Sequence, residues 1–222
     1  MSYYEDRLSA SRLKRCYEIA PPRVRQYLDA EISYVINQIK ETDSVLEPGC
    51  GYGRVLEKLS RRAGKVTGID TSVESVAMAK KELGATSNCS VFVMDASCMS
   101  FSSGQFDVVA CIQNGISAFG VDRRTLIREC VRVTKKGGTV LFSSYSDKFW
   151  GHRLEWFQLQ AKEGLIGEID CSETRDGVIV TRDGFKAATV RPKDFLSLTK
   201  DIGFTAKIVE VDESSVFCEI TP

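Results

Sequence analysis

The chain has 222 residues, with 30 Lys+Arg against 30 Asp+Glu, 43% hydrophobic residues and 17 glycines. That apolar content suffices for one large domain with an inserted subdomain, without a disulfide or metal staple. A formal net charge of zero lacks the basic footprint that neutralising several phosphates requires, so nucleic acid is not expected as a partner.

No apolar run approaches the roughly 18 to 20 residues of a membrane span, and residues 1–16 are too charged for a signal-peptide core. A cytoplasmic protein without a membrane partner is therefore expected. The eight cysteines form no C-x-x-C pair, so no metal site is predicted, and most of them read as small buried hydrophobes.

Residues 1–40 read as a helical cap interrupted at Pro21-Pro22, with Val24, Tyr27, Leu28, Ile32, Val35, Ile36 and Ile39 forming an apolar stripe after the break. Residues 41–146 alternate β-rich runs (45–47, 65–70, 90–94, 106–112 and 138–143) with helical patterns (53–62, 72–83 and 122–134), the order of a parallel sheet covered on both faces. The last of these helices is expected to end in the cationic turn Lys135-Lys136 before Gly137-Gly138. Residues 147–191 form an insertion after the fifth strand: an aromatic-rich helix, then strands near 167–170, 178–180 and 185–190 with Asp-Gly turn signals between them. Residues 192–222 supply a helix opened by Pro192 and ended by Gly203, then strands 204–211 and 215–220, whose three-residue link makes them antiparallel. The expected fold is α/β, a doubly wound and mostly parallel sheet with an antiparallel C-terminal strand, built as a single domain over residues 1–222.

The most specific signal is Val45-Leu46-Glu47-Pro48-Gly49-Cys50-Gly51-Tyr52-Gly53-Arg54. It ends a strand, opens a helix, and places glycines at alternate positions where a ligand can approach the backbone. A dinucleotide fingerprint would need glycine where Arg54 or Leu56 stands, and the G-K-[ST] of a phosphate-binding loop is absent. An acid at the strand end followed by G-x-G-x-G resembles motif I of the class I S-adenosylmethionine-dependent methyltransferases. The resemblance continues at Ile69-Asp70 and at Met94-Asp95-Ala96, so three successive strands end in acids, where open parallel sheets bind ligands.

The resemblance implies a Rossmann-like methyltransferase with S-adenosyl-L-methionine as cofactor and S-adenosyl-L-homocysteine as product. Gly49, Cys50, Gly51 and Gly53 would run along the methionine portion, and Glu47 would order the loop and meet the ammonium group. Asp70, with Thr71 beside it, would hold the ribose, and Asp95 and Ala96 would read adenine. Ile112 and Gln113 would lie beneath the sulfonium, and Tyr17 is the cap residue placed to face it.

The segment after the fourth strand, Ala110 to Phe119, lacks the [ND]-P-P-[YF] clamp of amine-methylating nucleic-acid enzymes. It is similar to the corresponding segment of small-molecule N-methyltransferases of the glycine and sarcosine type, which implies a small methyl acceptor and N-methylation. Gln113, Asn114 and Ser117 offer hydrogen bonds there, although Asn114-Gly115 also reads as a tight turn. His152, the only histidine, is a candidate base for an oxygen acceptor. Trp150, Trp156 and Phe157 either line the acceptor pocket or form lid core. Two other readings stay open: a non-catalytic cofactor-binding module that recognises a protein partner, and methylation of a protein side chain. Monomer and dimer are both open.

Overall fold

Short apolar runs punctuated by glycine become the parallel strands of one sheet: β1 (Ser44–Pro48), β2 (Lys65–Asp70), β3 (Cys89–Val93), β4 (Phe106–Cys111) and β5 (Thr134–Tyr145). The computed structural model describes residues 3–84 and 88–222; Met1 and Ser2 of the expected cap lie outside the described residues. Two further strands, β8 (Ala206–Val211) and β9 (Ser215–Ile220), complete a seven-stranded sheet of order β3-β2-β1-β4-β5-β9-β8. β1 to β5 pair in parallel, whereas β9 runs antiparallel to both β5 and β8. The strand order reverses between β1 and β4, and a crevice opens beyond the carboxyl ends of strands at such a point.

Strand side chains alternate between two cores. Leu46, Val109 and Cys111 face the core shared with α6 (Arg123–Val133) and α8 (Pro192–Lys200). Val45, Val108 and Ala110 face the core under α4 (Arg54–Ser60), α5 (Val73–Leu83) and α3 (Pro22–Ile36). Ser72 caps α5 by accepting from the Ser75 N–H, and Asp122 caps α6 by accepting from the Thr125 N–H. Five of the eight cysteines are buried and all eight are unpaired thiols.

A third core joins the N-terminal helices α1 (Tyr3–Asp6), α2 (Ala10–Glu18) and α3 to α7 (Trp150–Lys162) and to the hairpin β6 (Val178–Val180) and β7 (Lys186–Ala188). Leu8, Tyr27, Phe149, Trp156, Phe157 and Phe185 pack there, so the leading segment and the insertion cover the same end of the sheet.

Three local expectations are corrected. Lys135 to Gly138 are not a helical last turn: α6 stops at Val133 and these residues lie in β5. Phe106 pairs with Thr134 but Val108 with Thr139, so the extra residues loop out, and Gly138 is needed because a Cβ there would meet the Asp107 carbonyl oxygen at 2.6 Å. Residues 167–170 contribute one bridge, Ile169 to Thr181, because Asp170 turns back to accept from Ser172. The leading helix breaks at residues 7–9 as well as at Pro21-Pro22.

Candidate functional site

The carboxyl ends of β1, β2 and β4 floor a cavity of about 380 Å³. Glu47, Gly49, Gly51, Asp70, Asp95 and Gln113 reach it from the sheet; Tyr17 and Tyr27 reach it from the cap, Tyr145 from β5, and Trp156 and Phe157 from α7.

The loop after β1 is bent for a backbone approach. Gly49 and Gly51 have φ of +74° and +52°, and a Cβ on Gly49 would lie 2.8 Å from the Phe119 ring. Asp70 at the end of β2 ties this loop to the next helix: one carboxylate oxygen accepts from the Gly51 N–H at 2.9 Å and the other from the Ser72 N–H at 2.9 Å. Asp95 accepts from the N–H and hydroxyl of Ser97, both at 2.7 Å.

Glu47 is 5% exposed and one of its carboxylate oxygens has no hydrogen-bond partner. Burial pushes its carboxyl up to about 8, with Asp70 reinforcing and Arg54 opposing the rise. Arg54, the first residue of α4, stacks on Tyr17 at 4.3 Å and donates to the Gln113 Oε1 at 2.6 Å, while its Nε is buried and unpartnered. Gln113 Nε2 is likewise buried and unpartnered. Unsatisfied donors and acceptors of this kind are costly unless a ligand completes them. An acid, a guanidinium and an amide around one void fit an amino-acid moiety, and the glycine bend with Asp70 and Asp95 fits a nucleoside.

Sequence reasoning missed Glu31. This fully buried carboxylate of α3 accepts from the Gln113 backbone N–H at 2.7 Å and from the Ser143 hydroxyl at 2.9 Å. Gln113 and Asn114 both have positive φ, 57° and 60°, so the clamp holds a backbone that L residues rarely adopt. Burial pushes Glu31 up to about 7, opposed by the hydroxyls of Ser215 and Ser143 and by the Gln113 backbone N–H. The available signal was an acid at position 31 within the ladder Val24, Tyr27, Leu28, Ile32, Val35, where helical spacing puts it on the buried face.

Of the residues singled out from the sequence, Glu47, Gly49, Cys50, Gly51, Asp70, Thr71, Asp95, Ile112, Gln113 and Tyr17 line the cavity. Four do not. Gly53 starts α4 with φ +86° and admits α5, since a Cβ would lie 3.2 Å from Ala79. Ala96 is buried beside Asp95 but outside the lining. Asn114 turns inward to accept from the Ser144 hydroxyl at 2.7 Å, which fits its tight-turn reading. His152 is exposed on α7, its ring 5.7 Å from Phe149, and so is not positioned as a base; the helix presents Arg153, Trp156 and Phe157 inward instead. Trp150 also lies outside the lining, whereas Trp156 and Phe157 form part of it. Among the described residues, no helix is long and apolar enough to cross a membrane.

Residues 45–138 match the family described as a methyltransferase domain. The ubiquinone biosynthesis O-methyltransferase of Coxiella burnetii is 26% identical over 141 residues, covering 63% of this chain and 56% of that protein. Its counterpart in Pseudomonas putida is 32% identical over 137 residues, 60% of this chain and 55% of that protein. The chain thus spans about half the length of the curated relatives it matches. Among solved structures, a SAM-dependent methyltransferase from Methanosarcina mazei superposes with a TM-score of 0.61 at 22% identity, covering 85% of this chain and 96% of that one. The N-methyltransferase NodS from Bradyrhizobium japonicum, in complex with S-adenosyl-L-homocysteine, gives 0.60 at 18% identity, with 95% of each chain covered. At these identities the structural likeness shows the fold.

Proposed function

We propose that this chain, a class I S-adenosylmethionine-dependent methyltransferase whose residues 45–138 belong to the methyltransferase domain family, moves the cofactor's methyl group to a nitrogen of a small acceptor. One observation carries the reading. A single cavity runs from the acid-bearing strand ends to an aromatic wall made by Tyr27, Tyr145, Trp156 and Phe157, so cofactor and acceptor share one enclosure.

The assignments follow the chemistry of the lining. Asp70 suits the ribose hydroxyls and Asp95 the adenine edge. Glu47 suits the ammonium group and Arg54 the carboxylate of the methionine portion, which would complete the unpartnered atoms of both side chains. When bound, the cofactor supplies an already activated methyl on sulfur, so the protein's task is alignment and exclusion of water. Positioning of this kind lowers a barrier by up to roughly 7 to 11 kcal/mol. Gln113, held from behind by Glu31, sets the polar edge of the transfer point, and the aromatic wall keeps it dry.

Nitrogen is favoured because no histidine faces the cavity, and an amine requires only selection of its neutral form. Smallness is favoured by volume: about 380 Å³ is near the lower end of the roughly 300 to 1,000 Å³ typical of ligand pockets, and a nucleoside cofactor takes most of it. Calorimetry with S-adenosyl-L-homocysteine is expected to show binding by the native chain and loss in Asp70→Ala; equal binding by both would refute the pocket assignment. Labelled cofactor offered with metabolite and protein extracts should mark a metabolite. Label appearing only in protein would refute the small acceptor, and no transfer to either would favour a binding module.

A further inference from the structure

Helix α7 turns Arg153, Trp156, Phe157 and Gln160 inward. The first three have partners within the protein. Arg153 donates to the Gly177 and Ala187 carbonyls, each at 2.9 Å, and so pins the lid hairpin. Trp156 Nε1 donates to the Cys16 carbonyl at 2.8 Å, and the Phe157 ring packs 5.7 Å from that of Phe185. Gln160 differs. It is 3% exposed and lines the cavity, yet its side-chain amide makes no hydrogen bond among the described residues. Unlike the Nε2 of Gln113, this amide is not enclosed by protein atoms, so it opens onto the void. Its backbone is held, because the Gln160 carbonyl accepts from the Leu165 N–H at 2.9 Å. An amide buried among aromatic rings without a partner is costly, and leucine would fill the same helical position without that cost. A ligand that supplies the missing bonds accounts for glutamine here.

Charge in the lining is segregated. Its charged members, Glu47, Arg54, Asp70 and Asp95, all stand at the strand ends or at the start of α4. The lining residues contributed by α1, α2, α3 and α7 are uncharged. Arg153 and Glu31 lie outside the lining, each with partners of its own. An ion brought to the α7 end would therefore lose its water with no opposing charge in the wall to receive it. A neutral group meets no such penalty. An amide donates through its nitrogen and accepts through its oxygen, so a carboxamide or a hydroxyl, which does both, completes it. A carboxylate only accepts and an ammonium only donates, and either leaves half of Gln160 unpaired.

We infer that Gln160 determines acceptor specificity, its amide receiving an uncharged carboxamide or hydroxyl group carried by the methyl acceptor. Gln113 reaches the cavity from the sheet and Gln160 from α7, so the acceptor presents its reacting nitrogen to the first and its neutral polar group to the second. The acceptor class is then a small compound whose end away from the nitrogen is polar but carries no charge. This rests on the methyltransferase reading above and adds the polarity of the acceptor to it.

The test uses the full chain saturated with S-adenosyl-L-homocysteine and four probes built on one ring: benzamide and benzyl alcohol, which are neutral, and benzoate and benzylamine, which are charged. Calorimetry is expected to show a neutral probe binding about tenfold tighter than either charged one, and which neutral probe leads separates the carboxamide from the hydroxyl. Gln160→Leu should weaken the leading probe about tenfold, leave the charged probes little changed, and keep affinity for S-adenosyl-L-homocysteine. Its Tm should equal or exceed the native value, since leucine relieves an unpartnered amide. A lower Tm or failure to fold would show that the amide serves the fold and would overturn the assignment. Equal affinities for the four probes, preference for a charged one, no binding of any, or unchanged neutral-probe binding in Gln160→Leu would overturn it too. Failure of the native chain to take up S-adenosyl-L-homocysteine would instead overturn the methyltransferase reading itself, and this inference with it.

Discussion

Glu47→Gln should change how stability depends on pH. Burial carries the Glu47 carboxyl from an ordinary 4.5 up to about 8 in the folded chain. The unfolded chain therefore gives up this proton first, so the stabilisation is complete below about pH 4.5 and drains away as pH rises toward 8. At roughly 1.36 kcal/mol per unit, the full effect is about 5 kcal/mol, most of it lost between pH 5 and pH 8. Glutamine keeps the shape and cannot ionise. Urea unfolding at a series of pH values from 5 to 8.5 should show native stability falling by several kcal/mol. The Glu47→Gln profile should be much flatter, retaining only the smaller decline that Glu31 contributes up to about pH 7. Parallel profiles for the two proteins would refute the argument that this carboxyl is buried without a sufficient counter-charge.

The same group predicts proton release. At pH 7 the carboxyl is about 90% protonated if it titrates near 8, so S-adenosyl-L-homocysteine binding should expel close to one proton more from the native chain than from Glu47→Gln, read as buffer-dependent heat. Gly68→Ala should cost several kcal/mol or abolish soluble expression, because the new Cβ would lie 2.4 Å from Leu56 Cδ1 and 2.8 Å from Cys50 Sγ; chemical denaturation measures it. Glu31→Gln should weaken cofactor-analogue binding several-fold in the native chain but have no further effect in a Gln113→Ala background, a double-mutant cycle that additive losses would contradict. His152→Ala should leave cofactor-analogue affinity and methyl transfer unchanged, since the ring is exposed outside the cavity.

The parallel strands and their terminal acids were legible because each is a local pattern: an apolar run, an acid, then glycine or a helix cap. Glu47, Asp70 and Asp95 needed only that pattern to be placed at one edge of the sheet, and the antiparallel β8–β9 pair needed only the brevity of its link. What escaped depended on partners distant in the chain. Glu31 and Arg153 are charged residues at buried helical positions, and each is explained only by a segment tens of residues away: Gln113 and Ser143 for the acid, the 177–189 hairpin for the guanidinium. His152 misled for the opposite reason. Its residue type suggested chemistry, but its helical phase, one step before Arg153, points it to solvent. Lys135 to Gly138 look like a helix ending because cationic residues before glycine suit one; the strand pairing of Thr134 overrode that preference.

The leading segment is stitched to the insertion rather than only to the sheet. The Tyr3 hydroxyl and Arg7 donate to Asp183, Arg12 donates to the carbonyls of Gly164 and Leu165, and Arg15 pairs with Glu163. Each contact spans about 150 or more positions. During synthesis from the amino end, the opening helices leave the ribosome long before their docking partners exist, and Leu8, Cys16 and Tyr27 stay uncovered until α7 and the hairpin have been made. These leading helices are thus made before the segments they dock on and settle after them, so that the roof over the cavity closes only after the floor is finished.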